Sequence, residues 1–347
     1  IMNFAHKLNI AQRVFKSLVF GQVPNYAIVY VDGRCNMHCS FCCYAAMDAR
    51  NSSNIMPADW GSTFKRAKSL LHLTITGGEP FLRKDLTEII SEIIENSGVP
   101  RVSIKSNGFY LKRIKEYIPE LIKKHKNTEF TLSISLDGPK DIHDKVRQFK
   151  GAYDKVVETV NTMEKYRKEK NFFLRLASVL TTETKDFLPG LLNQTDKWPI
   201  DFHEVILVRD IPDDEQFKLK EIYRQLSENQ QKKSSKGWRK SFNGKIFDKL
   251  YKETIKRLDK NKKHSPCVAG SRFVEIFPDG VVRGCEVEKL WDISTIGKVE
   301  KSKDIVDILN SKRAKDFSKI AKDCSCTFEC ANAISTVYDT KNWPSLV

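Results

Sequence analysis

No apolar run in this sequence approaches the roughly 20 residues that a helical membrane span requires. The opening stretch "IMNFAHKLNIAQRVFKSLVFGQVP" is broken by Lys7, Arg13 and Lys16 and lacks an A-x-A-like end, so it does not read as a secretory signal. A cytoplasmic protein is the expectation, and there clustered cysteines serve as metal ligands or redox groups rather than disulfides. Acidic residues are in deficit: 44 Asp and Glu face 59 Lys and Arg, a net charge of +15. Such an excess favours nucleic acid, phosphorylated small molecules or anionic lipid as company. The lysines are spread along the chain, however, with no compact Arg-rich patch and interleaved aromatics, and solvated helix faces account for them equally well. Internal repeats are absent. So are Ser/His/Asp, phosphate-loop and paired-carboxylate constellations, which leaves the cysteines as the main carriers of chemistry.

What the chain does have is length and apolar content for a substantial core: 347 residues, 40% hydrophobic. Short β-branched runs alternate with amphipathic stretches. Strands are expected at 26–32, 73–76, 101–106, 130–137, 172–180 and 202–208. Between them, "LTEIISEIIENSG" puts Ile89, Ile90, Ile93 and Ile94 on one helical face with Gly98 as C-cap, and residues 113–125 and 153–170 repeat the theme. Six βα units fall short of the eight of a closed barrel, so the expected fold is α/β, a partial (β/α)6 TIM-like barrel open on one side. The expected divisions are a basic amphipathic helix over 1–25, the barrel over 26–211, a helical lysine-rich linker over 212–265 and a small C-terminal unit over 266–347. The first helix either packs on the exterior or lies on a membrane surface. Within 212–265, "KKSSKGWRK" separates two helical stretches, the second with Phe242, Ile246, Phe247, Leu250, Tyr251 and Leu258 along one face. In the last unit "RFVEIFPDGVVRGCEV" carries a Pro-Asp-Gly hairpin signal, and one helical stretch is expected over 302–322.

"CNMHCSFCC" follows the first strand. Cys35, Cys39 and Cys42 have C-x3-C-x2-C spacing, which suits three corners of an iron–sulfur cube that normally takes four cysteines. A structural zinc site, with His38 as a fourth ligand, is the alternative on spacing alone. Cys43 reads as a small buried side chain.

With Phe41 before Cys42, this run resembles the signature of radical S-adenosylmethionine enzymes. "GGEP" (Gly77, Gly78, Glu79, Pro80), "SNG" after the third strand and "SLDG" after the fourth resemble further motifs of that family, in order and each at a strand end. The resemblance covers roughly residues 26–210. It implies a 4Fe–4S cluster with one open iron on Cys35, Cys39 and Cys42, and S-adenosylmethionine held by the GGEP turn, Ser106, Asn107, Ser135, Asp137 and Arg147, with Val179 near the adenine. It implies reductive cleavage of S-adenosylmethionine to a 5′-deoxyadenosyl radical that abstracts a substrate hydrogen. Within GGEP, Glu79 reads as orienting the turn rather than as a general base. His143 and Asp144 either cap the following helix or touch substrate.

Cys267, Gly280 and Cys285 resemble the first half of the SPASM and Twitch auxiliary-cluster domains. "CSCTFEC" (Cys324, Cys326, Cys330) departs from the continuation of both patterns. The resemblance implies one auxiliary 4Fe–4S cluster on Cys267, Cys285 and two of the last three, Cys326 and Cys330 preferred; a distal zinc is the alternative. The expected activity is hydrogen abstraction from a small or carrier-linked, anionic, sugar- or lipid-linked substrate, followed by oxidation or bond formation. A peptide maturase of the same superfamily is the alternative, and a zinc-stabilised nucleic-acid-binding protein the third reading. An electron donor such as flavodoxin or ferredoxin is the expected protein partner; nucleic acid is not, and peripheral membrane contact through the first helix is the remaining option.

Overall fold

In the computed structural model, the residues described are 12–17, 22–42, 52–209, 213–233, 242–260, 265–287, 290–300 and 303–342. Cys43, most of the first helical stretch and the segment 234–241 lie outside them. Six strands, β1 (Tyr26–Asp32), β2 (His72–Gly77), β3 (Arg101–Ser106), β4 (Glu129–Ser135), β5 (Phe172–Leu180) and β6 (Phe202–Leu207), alternate with helices and pair in parallel in sequence order. Their β-branched and aromatic residues are buried on both faces, as strands covered by crossover helices require. The helix Leu86–Ser97 buries Ile89, Ile90, Ile93 and Ile94, and ends on Gly98, whose φ of 67° is the left-handed C-cap that glycine adopts without strain.

β7 (Phe273–Ile276) joins the same sheet, in parallel beside β1. β8 (Val281–Arg283) and β9 (Thr295–Lys298) follow antiparallel, giving the order β6-β5-β4-β3-β2-β1-β7-β8-β9. The expected hairpin is therefore present, with Gly280 at φ 84°, and it extends the barrel sheet at its first strand. The sheet does not close. The helix Glu329–Tyr338 lies against the lumen, anchored by Phe328, whose ring meets Phe273 edge-on at 5.4 Å. Both helices of the 212–265 segment pack: Leu219, Tyr223 and Leu226 of Asp213–Lys233 are buried, and Tyr223 meets Tyr251 of Phe242–Lys260 edge-on at 5.9 Å. The single helix expected over 302–322 is two, Ile305–Asn310 and Lys312–Ala321. Ser311 breaks it, because its hydroxyl caps the second helix by accepting from the Ala314 N–H at 3.2 Å. Among the described residues no helix is long and apolar enough to cross a membrane.

Candidate active site

The loop after β1 and the turn after β2 are joined backbone to backbone. The Gly78 N–H donates to the Asp32 carbonyl and the Glu79 N–H to the Arg34 carbonyl, both at 2.9 Å. A Cβ at Gly77 or Gly78 would fall on those same carbonyls, and Gly77 has φ 146°. The two glycines thus let the GGEP turn seat the cysteine loop directly.

Glu79 is wholly buried. It accepts from the Asn107 N–H at 2.7 Å, the Ser106 hydroxyl at 3.0 Å and the Phe81 N–H at 3.1 Å. Burial pushes its pKa up to about 7, while these three donors pull it down. It therefore ties the GGEP turn to the turn after β3. Asn107 in turn donates to Asn36 Oδ1 at 2.9 Å, and its amide stands 3.9 Å from Cys35 Sγ. Asn36 has no motif to mark it and was missed in the sequence.

Across the cleft, Asp137 is also wholly buried. One oxygen accepts from the Val179 N–H at 2.9 Å; the other takes Arg147 Nε at 2.7 Å and its terminal nitrogen at 2.6 Å. Both oxygens are engaged, so Asp137 fixes Arg147 and the end of β5. Burial lowers the Arg147 pKa, but Asp137 and Cys39 more than reverse this. Arg147 stands 3.5 Å from Cys39 Sγ and 5.3 Å from the Phe41 ring. His143 is buried and held neutral, its pKa lowered to about 4 by burial, and accepts from the Asp137 N–H at 3.0 Å. Asp144 accepts from the Gly151 and Tyr153 N–H groups, so it caps the next helix. Ser135 and Val179 are half-buried at the ends of β4 and β5.

Burial raises the Cys35 pKa to about 11 and raises that of Cys39, and the three loop thiols are close enough to add to the shift. Among the described residues no three His, Cys, Asp or Glu side chains close to metal-bonding distance of a common point. The donor set nonetheless fits an iron–sulfur cluster: three gathered thiols, with Arg147 and Asn107 as the polar groups nearest them.

The C-terminal cysteines divide. Cys267 and Cys285 lie at the two ends of the β7–β8 hairpin, and Cys324 and Cys326 come to them. Cys326 is shifted up by its hydrogen bond with Cys324 and by burial, with Cys285 adding; Cys267 is shifted up by burial, with Cys324 adding. Cys330 stands apart. Its neighbours are Tyr26, whose hydroxyl lies 3.3 Å away, Lys105, Glu329 and Arg209. Cys330, expected with Cys326 as a ligand, is the second residue of the helix Glu329–Tyr338, and that helix points it into the barrel, whereas Cys324 lies with the other three.

Below the strand ends lies a cavity of about 340 Å³. Cys330 lines it together with charged residues that alternate along otherwise apolar strands: Arg101 and Lys105 on β3, Arg175 on β5, Glu204 on β6. Glu204 faces both Arg175 at 3.3 Å and Lys105 at 3.6 Å. Tyr30 and Arg209 both bond Glu286, next to Cys285, on the opposite wall. The polar residues Arg101, Ser103 and Lys105 at two-residue spacing in "RVSIKS", with the single charges Arg175 in "FFLRLAS" and Glu204 in "FHEVIL", were the available sequence signal for this lining.

Comparison with known proteins agrees. The profile of the Radical SAM superfamily matches residues 29–206. The sporulation killing factor maturation protein SkfB of Bacillus subtilis (strain 168) is 24% identical over 308 residues, 88% of this chain and 69% of that protein. GTP 3′,8-cyclase of Stenotrophomonas maltophilia (strain K279a) is 34% identical over 97 residues, 27% of this chain and only 30% of the cyclase's own length. Among solved structures, Streptococcus suis SuiB bound to precursor peptide SuiA superposes with a TM-score of 0.63 at 15% identity, covering 95% of this chain and 76% of that one. Native anSMEcpe with bound AdoMet and Cp18Cys peptide gives 0.60 at 17%, covering 87% and 84%. At these identities the structures speak for the fold. The superfamily profile covers just over half of the sequence, and the chain belongs to the radical SAM superfamily, enzymes that work with a 4Fe–4S cluster and S-adenosylmethionine.

Proposed function

We propose that this enzyme carries a second, auxiliary 4Fe–4S cluster and abstracts hydrogen from a peptide whose side chain enters the barrel lumen. The observation that carries the peptide reading is the extent of likeness to SkfB, a maturation protein, along 88% of the chain; the cyclase match stops at 27%. Cys35, Cys39 and Cys42 would hold the first cluster, and Cys267, Cys285, Cys324 and Cys326 the auxiliary one. When bound, the first cluster and S-adenosylmethionine supply a carbon radical able to take a hydrogen atom from an unactivated position. The chain's own residues bind and orient. Gly77 and Gly78 seat the loop, Asn107 and Arg147 border the thiols, and Ser135 and Val179 would line the nucleoside side of the cleft. Glu79 and Asp137 support them from below. The helix Glu329–Tyr338 lines the lumen and would limit water at the reacting position.

A second reading, a small or carrier-linked anionic substrate, is favoured by the cations Lys105 and Arg175 in the lumen lining, both paired with Glu204. Anaerobic reconstitution with about eight irons per chain is expected for two cubes. Incubation with a deuterated candidate peptide is then expected to move label into 5′-deoxyadenosine. Label transfer only from sugar- or carrier-linked molecules would favour the second reading, and zinc in place of iron would remove both.

A further inference from the structure

One carboxylate of the lumen cavity is not taken up by its ion pairs. Each cation of the lining has an acid at hand: Arg101 stands 3.9 Å from Glu129, Lys105 and Arg175 stand 3.6 and 3.3 Å from Glu204, and Arg209 bonds Glu286. Glu329 lines the same cavity and is 8% exposed, and among the described residues no cation lies within ion-pair distance of it. Its Oε1 is shut off from solvent and has no hydrogen-bond partner. Burial raises the Glu329 pKa to about 7, against Arg209 and the backbone N–H groups of Glu329 and Leu207, and Glu204 adds to the rise. Arg209, the cation that acts on it most, is engaged elsewhere: it bonds Glu286 and lies 4.2 Å from the centre of the Phe328 ring. A buried carboxylate oxygen without a donor is costly, and native structures leave few of them bare.

We propose that Glu329 is a specificity-determining residue that receives the cationic end of a substrate side chain, an ammonium or a guanidinium on an aliphatic arm. The inference rests on the peptide reading above for what carries the cation. Three observations converge on it. The acid without a partner faces a cavity large enough for a side chain, about 340 Å³. Ile28, Ile206 and Phe328 give that cavity an apolar wall against which an aliphatic arm can lie. Leu207 ends β6 and Arg209 follows it, so Glu329 sits at the carboxyl ends of the strands, where the cysteine loop and the GGEP turn also lie. A cation there would donate to Oε1 and relieve the repulsion between Glu329 and Glu204. An anionic group would meet both acids, with Lys105 and Arg175 already paired. The substrate charge read from the lumen is thus opposite to the one that the basic composition of the chain suggests.

The test measures equilibrium binding to the anaerobically reconstituted holoenzyme at about pH 8, where the carboxylate is ionised. The probes are Gly-Gly-Xaa-Gly-Gly peptides with lysine, arginine, norleucine or glutamate at the centre, and free pentylammonium and butylguanidinium against pentanol. A cationic peptide is expected to bind at least about tenfold more tightly than the norleucine peptide, and the glutamate peptide more weakly still. The lysine and arginine arms tell an ammonium from a guanidinium. Glu329→Gln keeps the shape and removes the charge. It is expected to abolish the preference while iron content and the affinity of the norleucine peptide stay at wild-type values, which a merely structural role would not produce. Equal binding of cationic and neutral probes by wild type, a comparison that needs no variant, overturns the proposal, as does a preference that survives Glu329→Gln. A Glu329-dependent preference shown by the free cations and by none of the peptides supports the proposal and defeats the peptide reading instead.

Discussion

Replacing Asp137 by Asn tests whether this carboxylate supports Arg147 or serves a ligand. In the native protein Asp137 is fully buried and Arg147 is 8% exposed, joined by two contacts of 2.7 and 2.6 Å. An asparagine keeps an oxygen for the Val179 N–H, so strand β5 loses little. The guanidinium, however, faces a neutral amide and becomes a buried charge without its counter-charge. Removing one partner of a buried pair costs about 3–5 kcal/mol. Arg147 retains Cys39 at 3.5 Å, which places the expectation at the lower end, about 3 kcal/mol. At about 2–4 °C per kcal/mol for chains of a few hundred residues, apo-protein melting should fall by about 6–12 °C. Anaerobic thermal and urea denaturation measure this directly. Asp137→Leu/Arg147→Met removes both charges and should recover much of the loss, because neither side is left unpaired. A cost under about 1 kcal/mol for Asp137→Asn, or a double variant whose cost is the sum of the singles, would refute the coupling.

Three further expectations follow from the geometry. Gly78→Ala drives a Cβ onto the Arg34 carbonyl and should displace the cysteine loop, halving iron on reconstitution while the urea transition persists. Cys330→Ala should keep the wild-type iron content whereas Cys326→Ala loses about four irons, since Cys330 faces Tyr26 and Cys326 faces Cys324 and Cys285. His203 is buried between Ser178 and Thr195, each at 2.7 Å, and burial lowers its pKa to about 3. The unfolded chain therefore takes up a proton below pH about 6.5 that the folded chain refuses, and the stability this neutral imidazole confers is present above that pH and lost as pH falls towards 3. The difference in unfolding free energy between wild type and His203→Gln should change between pH 7 and 5; a pH-independent difference would contradict the burial argument.

Much of the barrel was legible because its signals are local. "YAIVYVD" is a strand over the residues expected, and the helix ending at Gly98 follows from isoleucine spacing and one left-handed residue. The 302–322 stretch was misread as one helix because apolar spacing continues through Ser311, whose hydroxyl favours an N-cap over a helical interior. The site was legible in its motifs but not in its layers. Nothing local says that Glu79 and Asp137 turn inward and bond backbone and arginine while Asn107 and Arg147 reach the thiols.

The sequence by itself determined the alternating strands and helices, the three thiols on one short loop, and the hairpin that brings Cys267 near Cys285, because each depends on residues close in the chain. Tertiary structure alone decided that Cys324 and Cys326 lie near Cys267 and Cys285 and that Cys330 enters the lumen beside Tyr26. It also decided that the lumen charges meet at Glu204. These choices depend on β7 pairing beside β1 and on the helix Glu329–Tyr338 covering the open side of the sheet. Contacts between such distant segments are set by how the whole sheet curves and packs, which residue spacing does not encode.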